Sequence, residues 1–297
     1  MRKKPARLVF SVGIFISVTL ILSFVLSKSY WNGETNFTIV SGGESGDVFI
    51  YTISPITPAI IVVKVPQDTE VDVSRGFGKL KIKNLWKLSK NEKIGGLLLQ
   101  ETLTKSFKIP VEAFVHEKGV GLLSTNLLTR LSILFSGFET NLTTGDKLRL
   151  FFYGFRVSRE NRTVIDLGQY SAFLVKSKLK DGNEGYIISE DNLPPKLIGI
   201  YTDPVISRQN LNAVVKSSGN LKIKARILGK VLEILGPKLA SFSDIVNDDL
   251  EEKSCIVLAK DSYTRKKIAR VFGCEQKNGE PTGNFDVEVI VGKNLFL

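Results

Sequence analysis

Three polar side chains that follow a buried strand are the residues of this chain best placed to do chemistry. The run Ile60–Val65 is rich in β-branched residues and ends at Pro66, which predicts a strand closed by a turn. The turn presents Gln67, Asp68 and Thr69 at a strand end, where binding and catalytic groups tend to lie. If these side chains hold a phosphate or a metal, the protein is an enzyme. If they only close the turn, it is a scaffold or a binding protein.

The composition limits the chemistry further. The chain has 297 residues, of which 43% are apolar and 24% charged, so it is globular and long enough for about two domains. Its net charge of +11 favours anionic partners such as lipid headgroups, phosphate-bearing glycans or nucleic acid. His116 is the one histidine, and we interpret it as a surface residue, so a zinc or haem site has few available ligands. The sequence lacks the motifs of phosphate-binding loops, dinucleotide folds and serine hydrolases.

An apolar segment near the N-terminus predicts a membrane anchor. Residues Leu8–Ser27 carry no charge and match the roughly twenty residues that cross a hydrocarbon core. Basic residues precede this run, so the positive-inside rule places the N-terminus in the cytoplasm and everything after Lys28 outside the cell membrane. A cleaved signal peptide is the alternative, although the run is longer than a usual signal. We predict a cytoplasmic tail and single-pass anchor over residues 1–31 and a polar tether over residues 32–46.

Strands alternate with helices between residues 47 and 175, which predicts an α/β domain. Gly95–Phe107 predicts a buried helix within it. A further helix is expected over Gly121–Leu134, whose leucines recur at helical spacing; it would pack into the core or lie on a bilayer. Charged and glycine residues followed by two prolines predict a linker over residues 176–205.

The last part of the chain, residues 206–297, predicts a smaller domain with the element order β-α-β-β-α-β. That order suggests a ferredoxin-like layer of one sheet and two helices. The predicted exposed faces of both helices are basic, either as ordinary solvated surface or as a surface that follows anionic glycan or lipid. The basic residues are Lys222, Lys224, Arg226, Lys230, Arg265, Lys266, Lys267 and Arg270.

Both cysteines lie in this second domain. Cys255 is at the start of a predicted strand, and Cys274 follows the helix that runs back antiparallel to it. A disulfide is therefore geometrically allowed outside the cytoplasm, and two buried thiols are the alternative.

Several of these segments, taken in order, resemble a known family. Asp47–Pro55, Val65–Thr69, Lys81–Asn84 and Gly95–Val111 resemble the LytR–CpsA–Psr domain. The tail of the chain resembles the LytR C-terminal domain, and the anchor also fits the family's layout. The matching tail segments are Leu211–Ser217, Ile223–Gly236, Cys255–Gly273 and Phe285–Lys293.

The resemblance implies a phosphotransferase that moves anionic glycopolymer from a polyprenyl pyrophosphate carrier to peptidoglycan with the help of Mg²⁺. Asp47 and Asp68 stand where the family has catalytic, metal-holding aspartates. The family's arginines before them are missing, since Ser45 and Gln67 take those places. A neutral amide cannot supply the charge-assisted fork of a guanidinium. The candidate ligand-binding residues are Gln67, Lys81, Lys83, Arg75 and Arg156.

Three hypotheses follow. The missing arginines favour a non-catalytic envelope protein that binds polyprenyl-linked glycan or wall polymer, or that acts as a scaffold. The second is an active phosphotransferase in which Arg75 or Arg156 replaces the lost clamp and Mg²⁺ is the cofactor. The third, a DNA-binding regulator, is opposed by the anchor, which would leave both domains outside the cell. The expected partners are thus the membrane and an anionic glycan, wall polymer or polyprenyl phosphate lipid, and not nucleic acid.

Overall fold

The computed structural model describes residue 19 and residues 29–189, 193–245 and 254–297. The predicted anchor Leu8–Ser27 lies outside these residues except for Thr19. Within the described part of the chain, no helix is long and apolar enough to cross a membrane. The strands are β1 Phe37–Gly42, β2 Val48–Ser54, β3 Ala59–Val65, β4 Thr69–Val73, β5 Gly78–Lys81, β6 Ala113–His116, β7 Arg162–Asp166, β8 Leu174–Lys178, β9 Glu184–Ile188, β10 Asn212–Ser217, β11 Lys238–Asp244, β12 Cys255–Ala259, β13 Glu275–Gln276 and β14 Val287–Val291. The α-helices are α1 Leu85–Asn91, α2 Leu97–Phe107, α3 Leu127–Phe135, α4 Thr144–Tyr153, α5 Pro195–Tyr201, α6 Pro204–Arg208, α7 Lys222–Leu235 and α8 Ser262–Phe272.

The first part of the chain is an α/β structure built on two sheets. One sheet has five strands in the order β6-β1-β2-β3-β7, with antiparallel pairs at its centre and parallel pairs at both edges. The second has four strands in the order β5-β4-β9-β8. Helix α2 confirms the predicted helix over Gly95–Phe107, and its buried leucines pack into the core between the sheets.

Two segments predicted to connect domains are instead part of this structure. The expected tether, residues 32–46, contains β1, every residue of which is buried. The expected linker, residues 176–205, contributes β9 and helix α5, and β9 pairs in parallel with β4. Its charged and glycine residues form the tip of the β8–β9 hairpin, where Gly182 has a φ of +81°. The first domain therefore extends past its predicted end at residue 175.

The second part of the chain has the predicted order of elements with one addition, the two-residue strand β13, but it does not have the predicted strand neighbours. Its sheet runs β11-β10-β14-β12-β13. A ferredoxin-like sheet would place another strand between β10 and β11, whereas here these two pair directly and in parallel. The sequence pattern specifies which segments are strands, but it does not specify which strands pair. The cysteines form the Cys255–Cys274 disulfide, with a Cα–Cα distance of 4.6 Å.

Helix α8 joins the two parts through buried charges. Lys267 Nζ lies 2.7 Å from Glu112 Oε1 and 3.4 Å from Asp203 Oδ2, and it also donates to the carbonyl of Asn36. Arg270 Nε donates to the carbonyl of Glu112 over 2.9 Å. Burial raises the pKa of Glu112, and the neighbouring Lys267 opposes that rise. The prediction of an exposed basic face on α8 is thus wrong for Lys267 and Arg270. Both side chains contact the first part of the chain.

Candidate functional site

The structure brings five of the seven predicted site residues together. They lie where β2 begins, in the turn between β3 and β4, and around the end of β5. Gln67 Nε2 donates to Asp47 Oδ1 over 2.9 Å. Lys83 Nζ donates to Asp68 Oδ1 over 2.6 Å, and Lys81 Nζ lies 3.7 Å from the same oxygen. We call Asp47, Gln67, Asp68, Lys81 and Lys83 the charged cluster.

The acidic and basic groups of the charged cluster compensate one another. The hydrogen bond from Lys83 lowers the pKa of Asp68, because the ammonium group favours the ionised carboxylate. Asp181 hydrogen-bonds to Lys81, which raises the pKa of that ammonium group. The same bond lowers the pKa of Asp181 to about 2. The cluster is half-buried, so its ion pairs remain in contact with water and are screened.

The charged cluster does not fit the Mg²⁺ site that the family resemblance implies. Magnesium requires carboxylate or water oxygens in an almost octahedral arrangement. The Oδ1 atom of Asp68 already faces two ammonium groups, and that of Asp47 accepts from an amide. Two cations beside one carboxylate oppose a divalent ion at the same place. The arrangement supports a solvated ion-pair network and not metal-assisted transfer.

Arg75 is separated from the charged cluster. Arg75 follows β4, whereas Asp68 precedes that strand. The five residues of β4 separate the two ends of the strand by about 17 Å. Its guanidinium forms two hydrogen bonds of 2.6 Å to the carboxylate of Glu101 on α2. The residue adopts a φ of +59°, and its backbone N–H points to the carbonyl of Phe296. Arg75 is a structural clamp between elements.

Arg156, the last of the predicted residues, lies beside a different feature. An apolar groove of about 650 Å³ runs between α3 and α4, within the range of about 300–1,000 Å³ that is typical of ligand sites. The groove is lined by Leu131, Leu134 and Phe135 of α3, by Leu148, Arg149, Phe151, Phe152 and Tyr153 of α4, and by Trp31, Asn32, Gly33, Glu34 and Arg156 outside these two helices.

Helix α3 exposes large apolar side chains, which a helix of a globular protein normally buries. Leu128 is 75% exposed and Phe135 is 73% exposed. The one buried residue of α3 is Arg130, whose exposure is 3%. The exposed set continues onto α4 and just beyond it. We call it the apolar face, and it consists of Leu127, Leu128, Leu131, Phe135, Phe152 and Phe155.

Arg130 holds α3 in this orientation. Its Nη1 donates to the carbonyl of Phe151 over 2.9 Å, and its guanidinium lies 4.0 Å from the ring centroid of Phe155. Burial lowers the pKa of Arg130. The inserted guanidinium binds the end of α4, so the leucines of α3 turn outward. The prediction that Gly121–Leu134 packs into the core is therefore wrong for Leu127, Leu128 and Leu131.

Cations stand at the edge of the groove. Arg149 lines the groove and donates to the carbonyl of Trp31. Arg156 is exposed, and in the described part of the chain no carboxylate lies within ion-pair distance of it. An apolar groove with guanidinium groups at its edge suits an amphiphile that has a hydrocarbon chain and an anionic head.

The sequence contained a signal for this groove. Thr129, Arg130 and Ser132 are the only polar residues of α3, so the helix is too apolar for an ordinary surface helix. A helix of this composition requires cover on nearly every side. Helical spacing alone does not show that the rest of the protein leaves part of this apolar helix exposed.

His116 belongs to a second group of acid and imidazole side chains. Its Nε2 lies 2.7 Å from Glu44 Oε2, and Glu117 lies close to both. The Nδ1 atom accepts from the backbone N–H of Lys118 at 3.2 Å, so in the neutral ring Nε2 carries the proton. A metal bound at Nε2 would require the proton to move to Nδ1. That proton would then face the N–H of Lys118, which is also a donor. The geometry favours a hydrogen-bonded group over a metal site, and the interpretation of His116 as a surface residue is wrong, because its side chain is only 13% exposed and packs against Trp86.

With this geometry in view, the backbone is similar to several solved structures. TagV of Bacillus subtilis is 11% identical over 54% of this chain and 92% of its own, with a TM-score of 0.40. TagT of the same organism is 12% identical over 55% and 88%, with a TM-score of 0.38, and it has also been solved bound to LIIa-WTA. The protein gbs0355 of Streptococcus agalactiae is 11% identical over 59% and 89%, with a TM-score of 0.41.

The chain is similar to LytR–CpsA–Psr structures. This is the family that its sequence segments also resemble. No family model matches the chain, and no curated protein matches it. At these TM-scores the likeness is partial and distant, and it does not decide what this chain does.

Proposed function

We propose that this chain is a membrane-anchored, extracytoplasmic envelope protein that binds a polyprenyl-linked anionic glycan without transferring it. The observation that carries the proposal is the apolar groove between α3 and α4 with Arg149 and Arg156 at its edge. The groove takes the hydrocarbon chain, and the guanidinium groups take the phosphate. The predicted anchor Leu8–Ser27 holds the protein in the membrane that contains such lipids.

The charged cluster supports binding over catalysis. Transfer of a pyrophosphate-linked glycan requires concentrated positive charge and a carboxylate that holds a metal. In this chain Asp68 is neutralised by Lys81 and Lys83, and Gln67 takes the place of an arginine. An active phosphotransferase is the second candidate, because Asp47 and Asp68 do converge on one place. The proposal assigns that convergence to a structural ion-pair network.

Native mass spectrometry of the detergent-extracted full-length protein tests the proposal. The wild type is expected to carry a polyprenyl phosphate or pyrophosphate species. Arg156→Gln and the groove-filling change Leu131→Trp should both lose it, whereas Arg208→Gln, an exposed arginine on α6, should retain it. A wild-type protein that is folded and consistently free of lipid would refute the proposal. Transfer of glycan to peptidoglycan by the purified protein would establish the second candidate instead.

A further inference from the structure

The chain enters the fold immediately after the predicted anchor. Ser29 Oγ donates to Asp146 Oδ1 over 2.8 Å, and the backbone N–H groups of Tyr30 and Trp31 donate to the same oxygen at 3.0 and 2.9 Å. Only Lys28 separates Ser29 from the apolar run Leu8–Ser27. Two extended residues span at most about 7 Å, so Ser29 can lie no farther than that from the end of the run.

The apolar face begins at the same place. Asp146 is near the start of α4, and Phe152 follows it by about 9 Å along the helix axis. Trp31 lines the groove together with Phe135, so the entry of the chain and the exposed part of α3 adjoin one surface. Any surface to which the anchor fixes Ser29 therefore lies within reach of the apolar face.

The residues around this surface have the composition of a membrane interface. Tyr30 is 67% exposed next to the buried Trp31, and aromatic residues of this kind are enriched at the level of lipid headgroups. Arg149 and Arg156 line the groove beside the apolar side chains, as in helices that lie in the interface of anionic bilayers. A second copy of the chain is a poorer occupant, because a two-fold contact would bring these cations together.

We propose that the apolar face lies in the outer interface of the membrane that holds the anchor, with α3 and α4 along the bilayer surface. This inference rests on the proposed anchor, and it does not depend on which ligand the groove takes. It explains why Arg130 is buried and the leucines of α3 point outward. It also opens the groove to the headgroup region, so an amphiphilic ligand enters without crossing water.

Spin labels on the full-length protein in anionic phospholipid vesicles test the proposal. A single cysteine is introduced as Leu128→Cys, Phe135→Cys or Phe152→Cys, and the native cysteines are already joined in a disulfide. The matched control is Ile223→Cys on α7, where the side chain is 76% exposed. The relaxation of each label is measured with oxygen, which concentrates in lipid, and with a water-soluble nickel chelate.

A label in the bilayer interface will show a several-fold higher ratio of oxygen to nickel accessibility than the label at position 223. Equal, water-like ratios at all positions in protein that floats with the vesicles would overturn the proposal while leaving the anchor intact. Protein that does not float would refute the anchor, and with it this inference. Labels shielded from both oxygen and nickel would show a protein contact, such as a second copy, and would also overturn the proposal. Because these vesicles contain no polyprenyl lipid, the ratios report membrane contact and not ligand binding.

Discussion

The carboxylate of Asp146 accepts a hydrogen bond of 2.9 Å from the backbone N–H of Trp31, a residue 115 positions earlier. The same side chain completes a capping box with Thr143 at the start of α4 and lies 3.7 Å from Arg270 of the second domain. Asp146 is fully buried. One acid thus joins the entry of the chain, the groove helix and α8.

We predict that Asp146→Ala lowers the free energy of unfolding by about 3–5 kcal/mol, because it leaves a buried guanidinium without its counter-charge. The loss of the helix cap adds to the effect. Urea unfolding of the full-length protein in detergent, followed by tryptophan fluorescence, measures it. The control is Asp72→Asn, whose carboxylate is 56% exposed beside Lys105 and should contribute no more than about 1 kcal/mol. Equal effects of both changes would contradict the central role of Asp146.

Asp68→Asn is expected to leave both folding and lipid retention almost unchanged. The ion pairs that Asp68 makes with Lys81 and Lys83 are half-exposed, and such pairs contribute about 0–1 kcal/mol. Lipid content by native mass spectrometry and stability by urea unfolding are the two measurements. A loss of bound lipid in this variant, with stability unchanged, would move the ligand site from the groove to the charged cluster.

A leucine pair tests the outward orientation of α3. Leu128→Ala should change the free energy of unfolding by no more than about 0.5 kcal/mol, because this side chain is 75% exposed. Leu123→Ala, a few residues earlier, removes a side chain that is only 5% exposed and should lower stability by about 2–5 kcal/mol. Thermal or urea unfolding compares the two. If both changes cost the same, α3 packs inward.

The disulfide is expected to stabilise the second domain. Cys255→Ala combined with Cys274→Ala should lower the free energy of unfolding by about 2–4 kcal/mol, because the bond closes a loop with a sequence separation of 19. Reduction of the wild type should have a similar effect, which separates the bond from the side-chain change. A reducing agent that has no effect on the wild type would rule out this contribution.

Glu44 provides a prediction about pH. Its hydrogen bond with His116 lowers the pKa of the carboxyl group from 4.5 to about 2. The folded-state pKa is below the unfolded one, so the pair stabilises the fold above pH 4.5 and loses that effect as the pH falls towards 2. The contribution is small because Glu44 is exposed to water. Carbon-13 NMR titration should show the pKa of Glu44 rising in His116→Gln, and an unchanged pKa would contradict the assigned cause.

The sequence is sufficient to predict that the polar side chains at the ends of β2 and β3 lie close together. Asp47 directly precedes β2, and Asp68 lies in the turn that follows β3, the strand with which β2 pairs. The turn at Pro66 places Gln67 next to Asp47. Their roles could not be predicted, because the lysines that neutralise Asp68 depend on how β5 folds back on β4. The disulfide was an open alternative for a similar reason, since it requires the actual path of α8.

The predictions for β1, α3 and α8 are wrong because contacts between residues distant in sequence outweigh the local sequence pattern. The sequence predicts a tether at β1 because glycine and polar residues surround it, yet β1 lies between β2 and β6 and its Phe37 and Ile39 are buried. The outward face of α3 depends on Arg130 binding the end of α4, a contact between residues 21 positions apart. Basic residues on α8 also look solvent-exposed until Glu112 is placed opposite Lys267.

The bond from Lys267 to the carbonyl of Asn36 joins residues 231 positions apart. While the protein is being synthesised, the carbonyl of Asn36, just before β1, therefore lacks this partner until the second domain has emerged and α8 has formed. Structures with such high contact order fold slowly, because the cost of closing long loops precedes the gain from the contacts. Until then the carboxylate of Glu112 lacks Lys267 and Arg270 as its counter-charges. Truncation before α8 should thus yield an aggregation-prone fragment, so quality control of this protein depends on its last forty or so residues.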